Sequence, residues 1–216
     1  LLGDFWLVKA LENILASSAN CNEVIRIFAG TLSSLAEGEM LQLQKASSGD
    51  TEEEDYFRII YSKTASLFES TCVSAAISVN APEAWVEAVR NYAVSLGIAF
   101  QIKDDIFDYT GGKKIGKPVG IDLEEQKITL PLLGALESAS DERASHIRNM
   151  LLNIQEHPEY KEDIVAFVKE EKGIEYAVSR LDEYVAKAVG ALATLPDSRE
   201  KDYLVKIAEF TAYRDK

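Results

Sequence analysis

The sequence contains few of the residues on which cross-linked folds depend. Among 216 residues there are two cysteines, five prolines and twelve glycines. Cys21 and Cys72 lie far apart and in no metal-ligand spacing, so we interpret them as the reduced thiols of a cytoplasmic protein. The low proline and glycine content leaves little room for disordered segments.

Long apolar runs and an excess of basic residues are also missing. No run approaches the roughly 18 apolar residues of a transmembrane helix, and no signal-peptide pattern is visible. The net charge of -13 results from 36 acidic and 23 basic residues, which argues against non-specific binding of nucleic acid. We therefore expect neither a transmembrane segment nor a nucleic-acid partner.

An initiator methionine is absent as well. The chain opens on LLGDFW at residues 1–6, already inside an apolar helical pattern. We therefore expect the domain to be incomplete at its N-terminus and the chain to be part of a longer protein.

Apolar residues recur with the period of an α-helix in nearly every segment, and no period-2 strand pattern, linker or internal repeat is found. This predicts one all-α domain over residues 1–216. A glycine- and lysine-rich loop is predicted at Gly111–Gln126, and a helix-capping box at Thr51 and Glu54. Helices are predicted at Asp4–Ala16, Asn22–Ala46, Glu53–Val79, from Pro82, at Asn91–Tyr109, from Pro131, and at Asp141–Gln155, Tyr160–Lys172, Gly173–Thr194 and Ser198–Tyr213.

Acidic residues are concentrated at the end of the predicted helix Asn91–Tyr109. In DDIFD, Asp104 and Asp108 lie one above the other with Asp105 beside them, and Gln101 lies one turn earlier on the same stripe. We expect this polar stripe to face a cavity inside a helical bundle. A bound cation would relieve the repulsion between the acids, and all-oxygen ligands indicate Mg²⁺. A solvated helix end with a chance acidic cluster explains DDIFD alone equally well.

Lysines surround the acidic cluster in the sequence. Lys113, Lys114, Lys117 and Lys127 follow it in a loop of small residues, which is suited to fold over an anionic group. Lys63 falls on the apolar stripe of its own helix, where diphosphate binding inside a bundle would require a lysine. Snorkelling of its aliphatic part along that stripe is the alternative.

Seven motifs occur in a fixed order along nearly the whole chain: LLGDFWLVKAL, GEMLQLQ, YFRIIYSKTASLF, GIAFQIKDDIFDY, GKPVGIDLEEQKITLPLL, KGIEYAVSRLDEY and LVKIAEFTAYRDK. With these motifs the chain resembles the trans-isoprenyl diphosphate synthases, or polyprenyl synthetases. The loop and the KGIEYA segment are most similar to bacterial medium- and long-chain enzymes of the hepta- to octaprenyl or solanesyl kind.

The resemblance implies a prenyltransferase. The expected fold is an all-α bundle around a central cavity, and the expected assembly is a cytoplasmic homodimer. The expected reaction is Mg²⁺-dependent 1'-4 condensation of isopentenyl diphosphate with an allylic diphosphate, which makes the precursor of a quinone side chain. A transient membrane contact for product release is a further expectation.

The resemblance also implies roles for the acids. Asp104 is expected to be the most direct Mg²⁺ ligand, and Asp105 and Asp108 to hold the metal partly through water. Gln42 is expected to line the cavity, and Arg214 to lie near the isopentenyl diphosphate site.

Diphosphate contacts are implied for the lysines. Lys63, Lys117 and Lys127 are expected to hold the allylic diphosphate and to stabilise charge on the leaving group. Thr64 and Gln101 are expected to orient the diphosphate or to shield the carbocation with an oxygen dipole.

The chain departs from the family pattern in one respect, because the family's first aspartate-rich motif and the arginines after it are missing. We therefore expect the 216-residue chain by itself to have little or no synthase activity. Two other functions remain open: a non-catalytic synthase-like partner subunit, and a terpene cyclase on the same fold. The KT, FQ and GKPVGID motifs favour chain elongation.

Overall fold

The structure is a computed structural model that describes residues 1–17, 20–111 and 119–214, and every regular element in these segments is helical. This confirms the all-α prediction. The helices are α1 (Leu2–Ala16), α2 (Cys21–Ser48), α3 (Glu53–Ile60), α4 (Ser66–Ser78), α5 (Glu83–Thr110), α6 (Ile121–Glu124), α7 (Leu130–Ser138), α8 (Asp141–Leu152), α9 (Tyr160–Glu170), α10 (Gly173–Ala191) and α11 (Arg199–Tyr213). A π-helical segment, Tyr61–Ala65, joins α3 to α4, and a 3-10 turn, Leu192–Thr194, follows α10.

Helix α5 forms the centre of the bundle. It packs most extensively against α10 and α4, and eleven of its 28 residues are buried. A larger apolar core surrounds its C-terminal half, and a smaller one surrounds Tyr92 near its start. Because none of residues 92–109 of α5 is exposed, the polar groups in this part of the helix lie among neighbouring helices.

The π segment interrupts the helix that the sequence predicts from Glu53 to Val79. Two glycines allow neighbouring helices to approach it closely. A Cβ atom on Gly38 of α2 would lie 2.7 Å from Ser62 Cβ, and one on Gly97 of α5 would lie 2.6 Å from Ala65 Cα. The segment is therefore packed between α2 and α5 at distances that only glycine permits, and π turns often mark functional sites.

The capping box of α3 lies one residue later than predicted. Glu52, not Thr51, is the N-cap residue, and its backbone N–H donates to Asp55 Oδ2 at 3.1 Å. Thr51 is buried, and its carbonyl accepts a hydrogen bond from Arg148 at 3.2 Å. Because Thr51 is held in this way by α8, the next residue begins the helix.

The predicted loop Gly111–Gln126 contains one short helix among its described residues. Helix α5 ends at Thr110, one residue after the predicted end at Tyr109, and it joins the helix predicted from Pro82 to the one predicted at Asn91–Tyr109. Residues 119–126 include α6, which begins after Gly120 in the left-handed conformation (φ 79°). The prediction of a loop throughout is therefore wrong at 121–124.

Helix α1 leaves its apolar side chains uncovered. None of its residues is buried, and all of its large hydrophobic side chains except Ile14 are more than one third exposed. Within the described part of the chain, no helix is both long and apolar enough to cross a membrane.

The close packing at Gly97 predicts a stability difference between two glycine substitutions. Gly97→Ala should lower the free energy of unfolding by roughly 1–3 kcal/mol, because the added methyl group overlaps Ala65. Gly30→Ala in α2 meets no atom within 4 Å and should raise that free energy by roughly 0.5–1 kcal/mol through its better helix propensity. Urea denaturation followed by circular dichroism measures both. Equal effects would show that the π segment can shift away from α5.

Candidate active site

A cavity of about 150 Å³ lies between the C-terminal half of α2, α3, the π segment, α5 and the segment that leads into α7. Thr51, shortly before the start of α3, and one residue of α6 also line it, and its walls carry several charged and polar side chains. The lining residues are Gln42, Lys45, Ala46, Thr51, Tyr56, Ile59, Ile60, Lys63, Thr64, Gln101, Asp105, Asp122, Lys127, Ile128 and Thr129.

Half of the residues singled out from the sequence meet in this cavity. Six of them line it: Gln42, Lys63, Thr64, Gln101, Asp105 and Lys127. Asp104 and Asp108 are not among the lining residues. Lys117, like Lys113 and Lys114, lies outside the described residues, so its role stays a prediction.

The π segment directs Lys63 toward α2. Lys63 Nζ donates a hydrogen bond to Gln42 Oε1 at 3.0 Å and forms an ion pair with Glu39. Three quarters of the lysine side chain is covered, since its exposed fraction is 27%. The ammonium group is therefore held at the cavity wall by two polar partners, rather than extended into solvent as snorkelling would require.

A chain of hydrogen bonds crosses the cavity wall from the π segment to α3. Thr64 Oγ1 donates to Gln101 Oε1 at 2.8 Å, and Gln101 Nε2 donates to Asp105 Oδ1 at 2.9 Å. The other oxygen, Asp105 Oδ2, accepts from the Tyr56 hydroxyl at 2.7 Å. The helical spacing of four residues places Gln101 beside Asp105, so α5 supplies the middle of the chain.

Asp105 is a buried carboxyl group with an unusual pKa. Burial raises the pKa of Asp105 to about 7, and the carboxylate of Asp122 adds to the rise, while the hydrogen bonds from Tyr56 and Gln101 oppose it. The side chain is 3% exposed. A carboxyl group with so perturbed a pKa in a cavity is typical of a functional site.

Asp108 binds backbone rather than facing the cavity. Its two carboxylate oxygens accept hydrogen bonds from the N–H groups of Ile121 and Asp122, at 3.0 and 3.2 Å. Burial and then Asp122 raise the pKa of Asp108, and those backbone donors oppose the rise. The described structure thus gives Asp108 a structural role at the start of α6 in addition to the metal role that the sequence predicts.

Asp104 lies at the rim of the site, beside the end of the chain. Its Oδ1 accepts a hydrogen bond from Arg214, whose guanidinium lies 4.2 Å from the centre of the Phe100 ring. The Arg214 side chain is only 15% exposed. The three aspartates therefore have different partners, and of the predicted stripe Gln101 and Asp105 line this cavity. The shared metal role of Asp104, Asp105 and Asp108 stays a prediction.

Two charged residues of the cavity were missed by the sequence interpretation. Lys45 lies on α2 one turn after Gln42, and it pairs with Asp55 at 2.8 Å. Asp122 lies 3.4 Å from Lys127 Nζ, and Lys127 also pairs with Glu125. Burial alone would lower the pKa of Lys127, but these carboxylates raise it. The sequence did contain a signal for Lys45: it lies three residues after Gln42 on the same helix, so both face the same side.

The donor set fits a hard divalent cation only in part. Asp105 and Asp122 bring two carboxylates to one cavity, where a cation would relieve their repulsion. However, no three His, Cys, Asp or Glu side chains of residues 1–17, 20–111 and 119–214 form a metal-binding group. A cation such as Mg²⁺ commonly takes one or two carboxylates and completes its shell with phosphate oxygens and water, which suits this arrangement.

Residues 1–168 match the family described as Polyprenyl synthetase. The chain belongs to this family. Over its whole length the chain is 37% identical to the octaprenyl diphosphate synthase of Haemophilus influenzae and covers 65% of that protein. It thus spans just under two thirds of the length of that polyprenyl synthetase.

Solved structures of the family share the fold. A polyprenyl synthase from Caulobacter crescentus, complexed with calcium and isoprenyl diphosphate, is 30% identical with a TM-score of 0.89, over 99% of this chain and 65% of that one. A geranylgeranyl pyrophosphate synthase from Bacteroides thetaiotaomicron is 37% identical with a TM-score of 0.88, over 98% of this chain and 70% of that one. The prediction of the family is therefore confirmed.

The contacts of Asp108 predict a measurable loss of stability. Asp108→Ala should lower the free energy of unfolding by roughly 1–3 kcal/mol, because two backbone donors at α6 lose their acceptor. Asp197→Ala is the matched control, since that side chain is 101% exposed beside Lys201, and it should change the free energy by less than about 0.5 kcal/mol. Urea denaturation measures both variants. A change at Asp108 as small as that of the control would show that α6 needs no carboxylate.

Proposed function

We propose that the full-length protein is a trans-polyprenyl diphosphate synthase of the octaprenyl kind, acting as one polyprenyl synthetase domain in the cytoplasm. It adds isopentenyl diphosphate to an allylic diphosphate by 1'-4 condensation and so makes a quinone side-chain precursor. The observation that carries this proposal is the cavity in which Lys45, Lys63 and Lys127 surround Asp105 and Asp122. A cavity lined by both lysines and carboxylates suits an anionic ligand that carries a bound cation.

The lysines bind and polarise the diphosphate. Lys63 and Lys127 line the same cavity from the π segment and from the segment before α7, so they can approach one diphosphate from different sides. We assign Lys117 to the same group from the sequence. Fixed positive charge around the leaving diphosphate favours the breaking of the allylic carbon–oxygen bond, because negative charge accumulates on the diphosphate as the bond breaks.

Thr64 and Gln101 act on the other product of that ionisation. Both line the cavity beside Lys63, and both carry an oxygen atom. Oxygen dipoles that face the allylic carbocation stabilise it without reacting with it. The double bond of isopentenyl diphosphate then adds to the cation, and loss of a proton gives the longer prenyl diphosphate.

We assign Mg²⁺ to Asp104, Asp105 and Asp108, with Asp104 as the most direct ligand. When bound, Mg²⁺ neutralises the diphosphate and stabilises the charge that develops on it. Asp105 borders the cavity, and Asp104 could turn from Arg214 at the rim. Support for a divalent cation comes from the Caulobacter relative, which was solved with calcium and isoprenyl diphosphate.

We also propose a homodimer that buries α1. An apolar surface of this kind, with Phe5, Trp6 and Val8 all more than half exposed, indicates an interaction site. A transient membrane contact for product release stays part of the proposal.

The activity is tested with Lys63→Ala in the full-length protein. Incubation of the wild type with farnesyl diphosphate, isopentenyl diphosphate and Mg²⁺ should give longer prenyl diphosphates, resolved by thin-layer chromatography. Lys63→Ala should lower kcat/KM for the allylic substrate by roughly 100-fold or more, because one charge-assisted contact in a dry site is lost. The exposed Lys169 gives the control, Lys169→Ala, which should match the wild type.

The outcomes separate the candidate functions. A wild-type protein that makes no longer product by itself, but raises the turnover of an active synthase, would be a partner subunit. Formation of a cyclic hydrocarbon from the allylic diphosphate alone would identify a terpene cyclase. Slower elongation in Asp104→Ala, together with a changed dependence of the rate on Mg²⁺ concentration, would support a metal role for Asp104.

The dimer is tested with a charge on α1. Trp6→Glu should shift the full-length protein from dimer to monomer in sedimentation equilibrium, because a buried unpaired carboxylate opposes association. Val178→Glu places the same charge at an exposed position of α10 and should leave the dimer intact. A dimer that persists in Trp6→Glu would place the interface elsewhere.

A further inference from the structure

Tyr56 is a buried cavity residue for which the proposed reaction has so far given no role. It lies on α3, is 2% exposed and borders the cavity. Its ring packs edge-on against Phe57, with 5.3 Å between ring centres. Its hydroxyl group donates to Asp105 Oδ2 at 2.7 Å, across 49 residues of sequence. A buried tyrosine usually needs only some hydrogen-bond partner for its hydroxyl group. The partner of Tyr56 is a buried carboxyl group of the candidate site.

The donors and acceptors around Asp105 permit one arrangement when its carboxyl group is ionised, which is the state that the hydrogen bonds from Tyr56 and Gln101 favour. In that state the carboxylate only accepts hydrogen bonds, so both neighbours donate to it. Tyr56 supplies its single O–H group, and Gln101 supplies its amide N–H. The amide of Gln101 is thereby oriented, with its nitrogen toward Asp105 and its oxygen, Oε1, toward Thr64.

This orientation determines what Thr64 offers to the cavity. The threonine hydroxyl has one hydrogen atom and two lone pairs. Because Gln101 Oε1 accepts that hydrogen at 2.8 Å, the lone pairs remain for the cavity. A rotated Gln101 would present its N–H group to Thr64, whose hydroxyl hydrogen would then be released toward the cavity.

We propose that Tyr56 is a positioning residue that, through Asp105 and Gln101, keeps the oxygen lone pairs of Thr64 facing the allylic carbocation. This inference rests on the proposed function. It gives the buried carboxyl group of Asp105 a second role: as the common acceptor, it determines which atom donates in each hydrogen bond of the Tyr56–Asp105–Gln101–Thr64 chain. Tyr56 itself does not touch the reacting atoms.

The test compares Tyr56→Phe with Tyr92→Phe in the full-length protein. Tyr92 is equally buried, and its hydroxyl donates to the Leu204 carbonyl at 2.8 Å, on the far side of α5 from the cavity lining. Each variant loses one buried hydroxyl group and keeps its ring. Elongation of farnesyl diphosphate is measured at saturating isopentenyl diphosphate over a range of Mg²⁺ concentrations, and melting curves check the fold.

Tyr56→Phe should lower kcat by roughly tenfold or more, since a hydrogen bond to a charged group is lost and transition-state stabilisation with it. The KM for the allylic substrate and the half-saturating Mg²⁺ concentration should stay within about twofold of the wild type. Tyr92→Phe should leave kcat unchanged. Added to Thr64→Val, Tyr56→Phe should cause no further loss, because both changes act through the same oxygen.

Three results would overturn the inference: an unchanged kcat in Tyr56→Phe, a loss that saturating Mg²⁺ restores, or a loss that adds fully to that of Thr64→Val. If Tyr56→Phe does not fold, neutron diffraction of the wild type serves instead, because it locates the hydrogen of the Thr64 hydroxyl group: a hydrogen that points into the cavity and not toward Gln101 Oε1 would overturn the inference. Failure of the wild type to elongate farnesyl diphosphate would overturn the proposed function itself, whereas wild-type elongation with a normal Tyr56→Phe overturns the positioning role alone.

Discussion

Close backbone packing around the π segment determines where the polar groups of the site lie. Gly38 and Gly97 let α2 and α5 approach the segment on two sides. Within the segment, Lys63 binds Gln42 of α2, and the next residue, Thr64, binds Gln101 of α5. The positions of the Lys63 ammonium group and of the Thr64 hydroxyl group therefore depend on two close helix contacts, one at Gly38 and one at Gly97.

The buried carboxyl group of Asp105 is the second element on which the site depends. An ionised carboxylate left without partners in a bundle interior would destabilise the fold by roughly several kcal/mol. Tyr56 and Gln101 satisfy it with two hydrogen bonds. The same bonds join α3 to α5, so the interaction that makes the acid tolerable also holds the cavity walls together.

Local signals in the sequence were sufficient for most helices. Pro82 precedes α5, Gly111 ends it, and the Ser198 hydroxyl caps α11, and such signals act within one turn. The π segment could not be predicted, because YSKTA has an ordinary helical composition and its geometry depends on Gly38 and Gly97 elsewhere in the chain. The directions of the aspartates were missed for the same reason: spacing places them on α5, but Arg214, α6 and Tyr56 decide where they point.

The pairing of Asp104 with Arg214 has a thermodynamic consequence. Together with the pairing of Lys63 with Glu39, it means that one acid and one lysine of the proposed site are already paired within the chain. A cation that binds Asp104 competes with the guanidinium of Arg214, and an anion that binds Lys63 competes with the carboxylate of Glu39. Binding is then an exchange of ion pairs, in which either ion alone leaves an internal partner unmatched. If the proposed function holds, we expect a ligand that brings both charges at once to bind better than either ion alone, because it replaces both internal partners together.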